Sequence, residues 1–158
     1  MKIHKVIEMK KSDWLELGGK LATRIVKDAD RGISQDGKGK PFEPYKSSYA
    51  IKKAAGKASL KGLSVSRQIS PPNLRLTGTM LDSIKAQKPT TESVEILYAD
   101  GAKVMGNAKP PARLKKKRRN IYGLNEKNTA FIQEFMESKY NTKIKKFVAD
   151  IIEFDISI

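Results

Sequence analysis

The densest chemistry in this chain is cationic. Lys103, Lys109, Arg113, Lys115, Lys116, Lys117, Arg118 and Arg119 follow one another with no acid among them and with Pro110-Pro111 inside the run. Ammonium and guanidinium groups at this density neutralise phosphates and release counterions, which suits strong, salt-dependent, sequence-independent contact with nucleic acid. The same tract suits a solvated basic loop or an arm lying on an acidic protein, because aromatic residues for base stacking are missing apart from Tyr122. The paired prolines make it a loop or arm rather than a helix.

Other reactive residue types are scarce. The chain has no cysteine and one histidine, His4. That excludes a disulfide framework, a thiolate zinc site, an iron–sulfur cluster and a Cys nucleophile, and it leaves neither a catalytic triad nor a two-histidine metal site within one chain. Gly37-Lys38-Gly39-Lys40 lacks the upstream strand, spacing and following Ser or Thr of a phosphate-binding loop. Asp28 and Asp30 are two apart and do not share a helical face, so they read as a solvated helix end, as do Glu153 and Asp155. No enzyme, cofactor or metal is expected. No apolar run approaches the ~20 residues that span a bilayer, and charge breaks the opening residues too often for a signal peptide, so a soluble intracellular product with no membrane partner is expected.

The elements that must carry the basic tract follow from composition and periodicity. With 158 residues, 39% of them hydrophobic, the chain is long enough for one core if nearly all of it folds together, as a single domain over 1–158. Its 32 Lys and Arg against 17 Asp and Glu leave a formal charge of +15, while residues 150–158 hold three acids and no base. Trp14, Leu17, Leu21, Ile25 and Val26 draw one apolar stripe on an amphipathic helix from Ser12 to Ala29, with Ser12 or Asp13 as cap, Glu16 as its partner and Gly32 as the stop. Trp14 keeps the helical phase and reads as a core or interface anchor rather than a ligand-stacking platform. Turn-formers between Ser34 and Tyr45 make a loop over about 34–46, and Ser47 or Ser48 caps a short helix ended by Gly56.

The Ser-, Lys- and Gly-rich stretch 57–72 reads as a second long loop, and 103–119 as a third. Leu74, Thr77, Leu81 and Ile84 keep a helical interval, and Val94, Ile96 and Tyr98 alternate as a strand, with Lys103-Val104-Met105 as its return. A helix begins near Asn125, a break at Asn141-Thr142 precedes more helix from Lys143, and the alternating tail 153–158 supplies an edge strand. Ile3, Val6 and Ile7 begin either a strand or the approach to a helix. The expected class is α+β: amphipathic helices on a small antiparallel sheet, with long basic loops.

Three stretches, in order, resemble the tail-completion or virion morphogenesis proteins of tailed bacteriophages. The first is Gly39-Lys40-Pro41-Phe42-Glu43-Pro44-Tyr45-Lys46-Ser47-Ser48-Tyr49 with Lys52 and Lys53, similar to the family's aromatic and proline approach to a Tyr- and Lys-bearing helix. The second and most specific is Leu74-Arg75-Leu76-Thr77-Gly78-Thr79-Met80-Leu81-Asp82-Ser83-Ile84, and the third is Arg118-Arg119-Asn120-Ile121-Tyr122-Gly123-Leu124-Asn125. Phe42, Tyr45, Thr77, Gly78, Leu81, Tyr122 and Gly123 are the expected anchors of fold or assembly.

The resemblance implies a structural virion protein that forms an oligomeric ring at the neck and joins the head, through its portal or adaptor, to the tail. Its partners would be further copies of itself, portal or adaptor and tail proteins, and packaged DNA. Its place would be the virion, after synthesis in the host cytoplasm. The three loops are then expected to be ordered by neighbours. A basic nucleic-acid-binding protein acting alone is the alternative that the charge supports.

Overall fold

The computed structural model describes residues 2–3, 9–57, 66–74, 79–99, 119–140 and 154–155. Their order is β1 (Lys2–Ile3), α1 (Lys11–Asp30), α2 (Ser47–Ala54), α3 (Thr79–Asp82), β2 (Ile84–Gln87), β3 (Val94–Tyr98), α4 (Glu126–Tyr140) and β4 (Phe154–Asp155). The strands form one antiparallel sheet in the order β2-β3-β1-β4, so the class is α+β.

Helix α1 forms where its apolar stripe can be buried. Trp14, Leu17, Leu21, Ile25 and Ala29 are wholly buried, Ala22 nearly so. Period-3.6 burial of this kind contributes roughly 1.5–3 kcal/mol for each large side chain. The helix starts earlier than the sequence suggests. Lys10 is the capping residue and makes no side-chain cap bond, while Ser12 and Asp13 fall inside the first turn, where Asp13 still opposes the helix dipole. The chain leaves α1 at Gly32 and α2 at Gly56, both with positive φ. Gly18 sets how closely α1 lies on the sheet: a Cβ there would sit 2.8 Å from Ala86 Cβ and Val94 Cγ2.

Strand β3 buries Val94, Ile96 and Tyr98 on the face toward α1, as the alternation requires. Its partner differs from the expected hairpin. Residues 103–105 lie outside the described residues, and β3 pairs instead with the preceding β2, Ile84 opposite Tyr98 and Gln87 opposite Glu95. Ile84 therefore leaves the helical stripe to which its spacing assigned it. Helix α3 is one turn long, the Ser83 hydroxyl donates to the Met80 carbonyl, and the chain turns so that Ile84 enters the sheet.

The tail forms β4 beside β1, and β1 is the central strand between β3 and β4. Helix α4 lies chiefly against α1 rather than on the sheet, and buries Ile132, Phe135 and Met136 in the same core as Trp14, Phe42, Leu81 and Ile121. The expected helix from Lys143 falls outside the described residues. Among the described residues no helix is long and apolar enough to cross a membrane.

Candidate functional site

The first resembling stretch, the chain entering the second and the start of the third meet beneath α2. Pro41 bridges to Ile33, and Phe42, 4% exposed, anchors the loop in the core. Three residues on, Tyr45 donates its hydroxyl to the Asn73 carbonyl and packs against Tyr49 with ring centroids 5.1 Å apart. Two cations flank the Tyr45 ring. Lys53 Nζ stands 4.7 Å from its centroid and the Arg119 guanidinium 4.5 Å.

Lys53, projecting inward from α2, is 1% exposed and donates to Asn73 Oδ1 at 2.7 Å and to the Tyr45 hydroxyl at 3.0 Å. Arg119, 7% exposed, donates from Nη2 to the Glu43 carbonyl at 3.0 Å and to the Pro44 carbonyl at 3.4 Å. Its buried Nε has no hydrogen-bond partner. Aromatic faces attract cations, and carbonyls accept from them, but neither cancels a full positive charge. The electrostatics follow. Burial, with Arg119 nearby, lowers Lys53 to about 8, and burial raises Tyr45 to about 12.

A second polar cluster joins the end of α1 to the 34–41 loop and the start of α4. Asp28 Oδ2 accepts from Gln35 Nε2 at 3.0 Å, Asn125 Nδ2 at 3.1 Å and Asn128 Nδ2 at 3.0 Å. Asn128 also donates to Gln35 Oε1 and accepts from Arg24 Nε, while Asn125 Oδ1 accepts the Asn128 amide at 2.9 Å and so caps α4. Asp28 is thus the centre of a network, not the solvated helix end its spacing from Asp30 suggested. The 34–46 loop is held by its own chain: Ser34 and Gln35 are buried, and backbone bonds tie Ser34 to Lys40 and Gln35 to Asn120.

Of the predicted contact residues, Lys103, Lys109, Arg113, Lys115, Lys116, Lys117 and Arg118 lie outside the described residues, as do Thr77 and Gly78 among the anchors. Arg119 is the correction. The sequence groups it with the basic run, but the Glu43 and Pro44 carbonyls and the Tyr45 ring draw it inward, so it presents almost nothing to a partner. Leu81 is wholly buried, and Tyr122 packs on Tyr98 at 5.3 Å. Gly123, at φ +101°, supplies a backbone conformation other residues rarely adopt, turning the chain toward α4. Sequence reasoning missed Lys53 and Asn73. The available signal for Lys53 was its place on the inward face of α2 beside Tyr49, four residues earlier.

Comparison with protein-family models, with curated proteins and with solved structures finds no match.

Proposed function

We propose that this chain is a structural virion protein of a tailed bacteriophage, a neck or tail-completion protein that joins head to tail within an oligomeric ring. The observation that carries the reading is the co-linear resemblance of three stretches. Its physical counterpart is that the first and third pack on each other, through Tyr45 and Arg119, although they lie far apart in sequence. Phe42, Tyr45 and Arg119 hold the 34–46 loop and the base of the basic arm in fixed relation. A rigid α+β base that fixes the root of a basic tract at Arg119 suits an adaptor between two unlike partners.

Removing the chain from phage assembly tests this. Filled heads and completed tails should accumulate unjoined, and purified chain added to the extract should join them. Normal particles formed without it would overturn the reading. The charge of +15 favours a second reading, a nucleic-acid-binding protein that acts alone. Such a protein would remain a monomer bound to duplex DNA and have no effect on joining.

A further inference from the structure

Charge is unevenly spread over the described elements. Helix α1 carries four cations and four acids, the 79–99 segment two and three, and α4 two and three. Residues 31–57 carry seven cations against Asp36 and Glu43 alone. Helix α2 lies in this stretch. Lys46 stands at its start, Lys52 on its flank and Lys57 just past its end, all exposed. Exposed Arg67 comes beside the same end, its Nε 3.3 Å from the point a Cβ on Gly56 would occupy. Among the described residues none of the four makes an ion pair.

Between these cations α2 exposes the small residues Ser47, Ser48, Ala54 and Ala55 around one large one, Ile51, which is 70% exposed. Beneath the helix lie Lys53 and Arg119, whose charges are buried against an aromatic ring and screened little by solvent. Their field adds to that of the surface row.

We infer that the exposed flank and ends of α2, with Lys46, Lys52, Lys57 and Arg67, are a contact surface for the phosphate backbone of duplex DNA. Helix α2 is about 12 Å long, so the row runs past several successive phosphates of a duplex. The exposed hydroxyls of Ser47 and Ser48 can donate to phosphate oxygens. No aromatic or amide side chain stands in the row to read bases, so binding is independent of sequence. A polyanion here also offsets the repulsion between Lys53 and Arg119. The inference deepens the neck reading and takes from it that the polyanion is DNA rather than RNA or protein. It rests on residues other than the 103–119 tract.

The test is fluorescence anisotropy of the full chain on a random-sequence 25-base-pair duplex across a salt series. It compares K46Q/K52Q/K57Q/R67Q with K11Q/K27Q/K85Q/K127Q, which removes the same charge from other exposed positions. The α2 variant should lose at least tenfold in affinity near 0.1 M salt, its log–log salt slope falling by about 3 at ~0.9 per phosphate contact. The control should change each far less, and K46R/K52R/K57R should retain binding. Equal losses in the two glutamine variants, an unchanged slope, or no binding by the parent would overturn the inference. So would polyglutamate binding to this face as tightly as duplex. Head–tail joining is read separately, so either result can fail while the other stands.

Discussion

Asp28 and the Tyr45 cluster are both half-hidden polar centres that join distant parts of the chain, yet they are built on opposite terms. Asp28 is one negative charge met by three amide donors from Gln35, Asn125 and Asn128, each of which is nearly or fully buried. The Tyr45 cluster is two positive charges met by a ring, carbonyls, one side-chain amide and a single nearby carboxylate, Glu43, with Arg119 Nε left over. A satisfied centre fixes a fold. A centre with surplus charge costs stability and gains from an anion nearby.

The largest expected effect comes from breaking the satisfied centre. Asp28→Ala removes a charged acceptor shared by three buried amides and leaves Gln35 Nε2 with none, and should cost about 3 kcal/mol, read as a lower denaturant midpoint with the slope unchanged. A cost under about 1 kcal/mol would remove the distinction. Lys53→Met, by contrast, takes the donor from Asn73 Oδ1 but also removes a desolvated ammonium and its repulsion from Arg119, and leaves Tyr45 bonded to the Asn73 carbonyl. It should stay within about 1 kcal/mol of the parent.

The smallest effect is a matter of pH. Lys53 is lowered to about 8 by burial, so between pH 8 and its ordinary value near 10.5 the folded chain holds fewer protons than the unfolded one, and stability rises with pH. Tyr45 is raised to about 12 by burial, so above pH 10 the unfolded chain loses its proton first and stability falls. Urea titrations should show a climb from pH 8 to about 10 and then a decline. Lys53→Met should abolish the climb and keep the decline.

What could be read from sequence was whatever a local period encodes. The stripe Trp14, Leu17, Leu21, Ile25 is buried along its length, and the alternation Val94, Ile96, Tyr98 faces the core. Where a distant partner decides, local spacing misleads. Ile84 sits three residues after Leu81, a helical interval, but pairing with Tyr98 makes it a strand residue. Arg119 ends an unbroken basic run, and only Tyr45, far away in sequence, brings it inside. Asp28 looked like a charge in water because its three donors come from the loop and from α4. The anchors Phe42, Tyr45 and Leu81 were legible because a large apolar or aromatic residue in a turn-rich stretch has few places to go but the core.

The central claim is that this chain builds the junction between head and tail. Projection imaging of purified virions carrying a density label on this chain tests it most directly. The account predicts label in a ring on the particle axis between head and tail, one copy per ring position. Particles that contain no label, or carry it anywhere off that junction, would contradict it.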